Sequence, residues 1–336
     1  MGYIVVTGGC GYIGSHMTRH LISKGYDVLV IDNLERGFKD VISTLQKTFP
    51  KSNLIFEKVD LREKKSLLKV FSKYEIDSVL HFAGYALVGE SMSYPTKYFE
   101  NNTGGTINLV SVMLERKINK LIFSSTCNIY GNSPIIPITE TNVENPSSLY
   151  GLSKLLAERV IESAAAEGLN SIRFRYFNAA GDSFDGLIGE RHDPETHIIP
   201  RVLDFALGKS DSFKLFGDNY PTPDGTCIRD YIHVEDLAEA HLLGLKKLEE
   251  TSKSNKGSTA LYNLGTENGT SNKEIIEAVK KITKKDFKYE IVEARAGDPA
   301  ILIADSNKAF KELGWKSKIN LDNIIKSAYN WHSKAK

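Results

Sequence analysis

A short β-branched run, Tyr3-Ile4-Val5-Val6-Thr7, leads directly into Gly8-Gly9-Cys10-Gly11-Tyr12-Ile13-Gly14 and then into a helical pattern from Ser15 to Lys24. Few sequence features constrain a fold as tightly. The run has the character of a buried parallel strand. Glycines at 8, 11 and 14 let the backbone turn sharply and approach a pyrophosphate at the N-terminus of the helix that follows. A second strand, Asp27 to Ile31, ends at Asp32, about 20 residues beyond the glycines, where an acidic side chain binds the adenosine ribose hydroxyls of a dinucleotide. A carboxylate there repels a 2′-phosphate, so the pattern predicts NAD rather than NADP.

Strand and helix signals then alternate. Leu54 to Val59 reads as a strand ending at Asp60, Glu63 to Lys73 as a helix, and Ser78 to Phe82 as a strand followed by Ala83-Gly84. Tyr94 to Arg116 carries a long helical pattern, Lys120 to Ser124 a strand, Ser148 to Glu167 a helix and Ser171 to Arg175 a strand. This order predicts an α/β fold: a doubly wound parallel Rossmann sheet with a smaller C-terminal α/β substrate lobe. Ligands of such sheets bind at the carboxyl ends of the strands, where Gly8, Asp32, Asp60, Ala83 and Ser124 to Thr126 fall. Past Asn178 the texture changes to Gly-, Asp- and Pro-rich loops, Gly181 to Pro194 and Gly217 to Gly225. Residues 1–178 are therefore expected to form the dinucleotide domain and 179–336 the substrate domain, with part of 230–262 packing back on the first.

Tyr150 and Lys154 lie four residues apart and project from one helix face. An ammonium beside a phenol favours the phenolate, so Tyr150 is expected to have its pKa drawn toward neutrality and to act as a general base or acid. Thr126, with Ser125 beside it, would bind the oxygen being deprotonated. The spacing alone carries little, because 15 tyrosines give about one such pair by chance; the glycine-rich N-terminus gives it weight.

The formal charge of +1 over 336 residues argues against a nucleic-acid or membrane-surface partner. No 18-residue apolar stretch occurs, and the first strand follows Met1 at once, so neither a spanning helix nor a signal peptide is expected. The three cysteines, Cys10, Cys127 and Cys227, are odd in number and lack metal-ligand spacing. A reduced, cytoplasmic setting and no metal site are expected. All three fall near the expected cleft, which predicts inhibition by thiol-alkylating reagents; small buried hydrophobes are the alternative.

A longer series of strings sharpens the reading: Thr7 to His16, Asp32-Asn33-Leu34, His81-Phe82-Ala83-Gly84, Val88 to Ser91, Asn101-Asn102, Phe123-Ser124-Ser125, Tyr150 to Lys154, Arg175 to Asn178, Gly217 to Val234 and Gly297-Asp298. In this order and spacing the chain resembles the extended short-chain dehydrogenase/reductases, and within them most closely the UDP-glucose (UDP-galactose) 4-epimerases. The resemblance implies tightly held NAD on Gly8, Gly11, Tyr12, Ile13, Gly14, Asp32, Asn33, Asp60, Leu61, Phe82, Ala83, Gly84, Asn101, Ser124, Tyr150, Lys154 and Tyr176. It implies Tyr150 as base, Lys154 as its partner on the nicotinamide ribose, and Thr126 with Ser125 on the sugar 4-oxygen. A UDP-sugar substrate would be held by Thr126, Tyr150, Asn178, His197, Phe216, Arg229, Tyr231, Arg295 and Asp298. For Arg229 the alternative is an ion pair with Asp230 or Asp236, and for Phe216 ordinary core packing. A homodimer built from the helices Tyr94 to Arg116 and Ser148 to Glu167 is also implied.

Three positions depart from the family pattern. Ala86 stands where many members carry a lysine near the NAD phosphates, Asn128 where threonine is usual, and Thr126 where serine is commoner. Cys127-Asn128 also stands where a nucleotide-sugar 4,6-dehydratase carries its extra acid–base pair, which argues against that reaction. Epimerisation of an N-acetylated or pentose UDP-sugar and UDP-glucuronate decarboxylation stay open as alternatives, with Leu302 placed to limit the size of the sugar. A non-catalytic NAD-binding scaffold would be marked by loss of Tyr150, Lys154 or the hydroxyls, and all are present.

Overall fold

The computed structural model describes residues 2–253, 256–294 and 298–334; Arg295 lies outside them. Strands β1 (Tyr3–Thr7), β2 (Val28–Asp32), β3 (Leu54–Lys58), β4 (Ile76–His81), β5 (Lys120–Thr126) and β6 (Asn170–Tyr176) follow the expected order within a residue or two at most ends. The remaining strands are β7 (Asn178–Ala180), β8 (Lys214–Phe216), β9 (Ile228–His233), β10 (Ser258–Leu264), β11 (Gly269–Ser271), β12 (Glu290–Val292) and β13 (Ile301–Leu302).

Seven strands form one parallel sheet in the order β10-β6-β5-β4-β1-β2-β3. Successive side chains of a strand point to opposite faces. Ile4 and Val6 accordingly join one apolar layer, with Met17, Leu21, Val30, Leu237 and Leu245. Val5 joins the other, with Leu29, Leu67, Leu109, Met113, Phe123 and Ile161. Both faces are thus covered, as a parallel sheet requires. The chain crosses to a second lobe at β7, which pairs with β9 in a small sheet that also holds β11 and β13, while β8 pairs with β12. The helix Val234–Thr251 and β10 then return to the first sheet.

Two local readings change. The span expected as one helix from Tyr94 starts instead at Pro95 and runs as α-helix to Tyr98, as a π-helical turn over Phe99–Gly104, and as α-helix again over Gly105–Glu115. Asn102 sits in the π turn with its side chain accepting from Tyr85 N (2.8 Å) and donating to Tyr85 O (3.1 Å) and Ser153 Oγ (3.0 Å). A widened turn of this kind is commonest at functional sites. In addition, Asp40–Thr48 forms a helix that the sequence pattern did not indicate. None of the described helices is long and apolar enough to cross a membrane.

Candidate active site

A cavity of about 370 Å³ runs along the carboxyl ends of β1, β2, β4 and β5 and under the second lobe. Its floor begins at the glycine loop. Gly8 has φ +70°, and a Cβ on Gly14 would lie 2.2 Å from Gly8 O, so neither position accepts a side chain as built. The helix Tyr12–Ser23 starts with no side-chain cap on Gly11 and no acidic residue in its first turn. Its free N–H groups are the kind of donor that binds a phosphate.

Asp32 is buried at the end of β2, where its carboxylate accepts from Cys10 N (3.0 Å) and Leu34 N (2.8 Å). Burial raises its pKa and these two bonds oppose the rise. Asp60 accepts from Asn33 Nδ2 (3.0 Å), and hydrogen bonds from Arg62 hold its carboxyl well below the usual range. Gly8, Gly11, Tyr12, Ile13, Gly14, Asp32, Asn33, Asp60, Leu61, Phe82, Ala83, Gly84, Asn101, Ser124, Tyr150, Lys154 and Tyr176 all line this one cavity. Its glycine cradle, free helix terminus and buried carboxylate at the end of β2 fit NAD.

The reacting end is built by the helix Leu149–Ser163. Ser148 caps it by accepting from Gly151 N (3.0 Å). The helix start lies so close to the turn Cys127–Tyr130 that a Cβ on Gly151 would sit 2.7 Å from Asn128 O. Tyr150, Lys154 and Glu158 share the buried face of the helix. Thr126 lies beside the Tyr150 phenol on the cavity wall and lowers its pKa. The Thr126 hydroxyl oxygen also accepts from Asn128 N (3.2 Å) and Asn128 Nδ2 (3.1 Å). With two donors already on the oxygen, its own proton is left to point at the phenol or at an oxygen bound beside it.

Three expectations about this end are corrected. Ser125 lines the cavity beside Thr126, but its hydroxyl is engaged by the buried carboxylate of Glu158, to which it donates. Glu158 in turn binds Arg175 through two bonds of 2.9 and 2.6 Å, and Arg175 also reaches Glu144. The Tyr150 pKa is not drawn down. Burial pushes it up to about 12, against the lowering effect of the Thr126 hydrogen bond. Burial likewise lowers Lys154 to about 7, partly offset by Glu158, and its ammonium lies 4.4 Å above the Phe123 ring. Desolvation is the largest cause of both shifts, and neither group is among the causes that shift the other. Finally, all three thiols are buried; burial pushes Cys10 upward and Cys127 up to about 12, so these two are not nucleophilic thiolates.

Of the residues expected on the substrate, Asn178, His197 and Tyr231 line the cavity with Thr126 and Tyr150. Phe216, Arg229 and Asp298 are not among its described wall residues. Arg229 lies 4.0 Å from Asp298 and donates to Ile228 O (2.9 Å). It pairs with neither Asp230 nor Asp236. Asp230 is taken up by Thr266, Glu267 and Ala304, and Asp236 by Lys318 and Ile319. Phe216 is half-buried on β8, in register with Val292. Leu302 packs with Cys127 and Phe177 beside the cavity.

Several groups were missed. Glu158 could have been found, since it follows Lys154 by one further helical turn. The loop before the helix Ile198–Ala206 gathers the ligand-type atoms of Glu190, His192, Glu195 and His197 within 4.8 Å of one another. These are donor types that bind divalent cations, and here they pair among themselves. His197 is hydrogen-bonded to Glu190, and His192 to Glu195 at 3.1 Å. The His197 ring lines the cavity, with 49% of its side-chain surface exposed. Burial lowers its pKa, but the carboxylates of Glu190 and Glu195 outweigh that and hold it up to about 9. A loop read only as rich in glycine, aspartate and proline gave no signal for this set.

The family model described as the NAD dependent epimerase/dehydratase family matches residues 4–265. A UDP-glucose 4-epimerase of Lacticaseibacillus casei is 45% identical over 331 residues, 98% of this chain and 96% of that one. The structure is similar to that of a UDP-glucose 4-epimerase from Bifidobacterium longum in complex with NAD+ and UDP, with a TM-score of 0.93, 36% identity and coverage of 99% and 98%. A UDP-Glc/GlcNAc 4-epimerase from Campylobacter jejuni gives a TM-score of 0.83 at 39% identity, with both chains fully covered. With its glycine cradle, its Tyr150–Lys154 helix and these full-length likenesses, the chain belongs to the NAD dependent epimerase/dehydratase family.

Proposed function

We propose that this protein interconverts UDP-galactose and UDP-glucose by transient oxidation at the sugar C4. The single observation that carries the reading is the buried meeting of Tyr150, Thr126 and Lys154 at one end of a cavity whose other end fits a dinucleotide. NAD, when bound, supplies the acceptor and donor of the C4 hydride and a positive ring charge that favours the phenolate.

Tyr150 takes the proton of the 4-hydroxyl and later returns it, while Thr126 donates to the same oxygen. Lys154 contributes positive charge beneath the phenol. Asn178, His197 and Tyr231 hold the substrate beyond the reacting carbon, and Phe216, Arg229 and Asp298 extend that contact toward the UDP end, with Arg295 as a further phosphate contact. Arginine suits a diphosphate because its planar fork matches phosphate oxygens. Holding the invariant UDP end firmly leaves the oxidised sugar free to turn and take the hydride on its other face. The role belongs to galactose metabolism in a cytoplasmic setting, supported by three reduced, buried cysteines.

The likeness to the Campylobacter jejuni enzyme supports a second reading, in which N-acetylated UDP-sugars are also taken. Association as a homodimer is supported by the exposed apolar side chains Val88, Met92, Ile107 and Leu156 on the helices between β4 and β6 and Tyr94 between two of them, and light scattering of the purified protein reads it. Proton NMR of UDP-galactose incubated with the protein, without and with added NAD, tests the activity. Appearance of UDP-glucose supports the reading; no conversion in either tube, with UDP-N-acetylgalactosamine then converted, moves it to the second.

A further inference from the structure

The loop that follows β2 and the loop that precedes the helix Ile198–Ala206 reach across the cavity mouth and exchange arginines. Arg36 donates Nη1 to Asp193 O (2.9 Å) and Nη2 to Glu90 (2.8 Å). Arg191 crosses the other way, bonding Asp40 (2.6 Å), with its guanidinium carbon 3.6 Å from the centre of the Phe38 ring. Phe38 N donates to Cys10 O (2.9 Å), so the loop carrying this pair is tied to the glycine loop itself.

Among the described residues of the cavity wall the basic side chains are Arg36, Lys154, Arg191, His192 and His197. Lys154 belongs to the reacting end, and Ala86, also on the wall, brings no charge. Arg36 and Arg191 are therefore the guanidinium groups available to the anionic middle of a dinucleotide. Their anchors are of a kind that releases easily. Glu90 also accepts from Lys97 (2.9 Å) and Tyr98 (2.9 Å), so it stays paired when Arg36 leaves. Asp40 is 63% exposed, so water replaces Arg191 there. The lobes are joined differently at the inner side, where the Tyr12 hydroxyl donates to Gly181 O (2.5 Å) within the core.

Resting on the NAD reading above, we propose that Arg36 and Arg191 form a clasp that retains bound NAD, bridging the two lobes over the dinucleotide channel and opening to let the cofactor leave. An anionic ligand favours closure by attracting the two guanidinium groups, on a wall whose mouth also carries Glu35, Glu90, Glu190 and Asp193.

The test measures NAD release directly. Chains loaded with NAD and desalted are diluted into a trap that consumes free NAD, and the release rate is read for the wild type, Arg36→Ala, Asp40→Asn and Arg36→Ala/Arg191→Ala. Partly exposed pairs are individually weak, so each single change is expected to speed release about fivefold and the double change on the order of thirtyfold. Added salt should speed release from the wild type and have less effect on the double variant. Wild-type release rates in Asp40→Asn and in the double variant would overturn the clasp alone. Failure of the wild type to bind NAD in an equilibrium titration would overturn the clasp and the functional reading together. Should the double variant fail to fold, Asp40→Asn decides, since it removes only an exposed anchor outside the cavity.

Discussion

Ion pairs lie both beneath the floor of this cleft and at its rim, yet the same kind of pair does different work in each. On the floor, Glu158 and Arg175 have no exposed side-chain surface and bind through paired bonds. At the rim, Arg36, Arg191 and Asp40 are 39%, 36% and 63% exposed. A buried pair broken from one side leaves a charge with nothing to solvate it, whereas water takes over at an exposed pair. The floor therefore fixes where Tyr150 and Lys154 stand, and the rim adjusts how the cleft opens.

The widest separation of the two regions comes from Glu158→Ala. It removes the fully buried partner of Arg175 and Arg173, leaving them Glu144 and Glu162, and should cost about 3 kcal/mol of stability, read by urea denaturation; Glu158→Gln, which keeps the shape, should cost less. A loss below about 1 kcal/mol would place the floor pair in the rim's class.

Acid reads the same dry interior. Burial lowers His16 and His241 to about 4 and His81 and His233 to about 3. Below pH 6.5 the unfolded chain binds four protons that the folded one refuses. Asp182, which burial pushes up to about 7, opposes them, and the burial-raised carboxyls of Asp32, Glu140, Asp230, Glu235 and Asp236 do so at lower pH. The net sign makes stability fall as pH drops from about 6.5 toward 4. Above neutrality, His197 (about 9) favours the folded state less as pH rises while Lys154 (about 7) favours it more, so the melting temperature should be nearly level from pH 7 to 9. A melting temperature that rises on acidification to pH 5 would contradict these buried neutral rings.

Tyr150→Phe removes the proton carrier and should lower kcat by about 10²–10⁴-fold, measured with NAD bound. Thr126→Val should lower kcat by roughly ten- to a hundredfold, while Ser125→Ala should act mainly on stability through Glu158. Equal kcat losses for the two would restore Ser125 to the chemistry. Arg62→Ala marks the smallest effect. Its partner Asp60 sits at the half-exposed edge, and the change should cost less than about 1 kcal/mol of stability.

The dinucleotide end was legible because its residues act through local pattern. Glycines at 8 and 14, the strand ending at Asp32 and the tyrosine–lysine spacing are all set by neighbours in sequence. The bond from Ser125 to Glu158 was not read, although period-two alternation already turns its side chain away from those of Ser124 and Thr126. The missed helix Asp40–Thr48 buries only Ile42 and Leu45, too short an apolar seam to register. The Glu190–His197 group and both clasp arginines depend on loops brought together by the closing of two lobes, which no local period encodes. The pKa expectation failed for a related reason: spacing gives neighbours, but only the fold gives the depth that sets desolvation.

β10 carries one more consequence, for the order in which the chain is made. Its seven residues pair with the whole of β6, yet they leave the ribosome more than eighty positions after it. Until then β6 presents an open edge, able to pair with any other extended strand. A nascent chain stalled after residue 178 therefore displays its own aggregation site, and synthesis must pass Leu264 before that edge is covered.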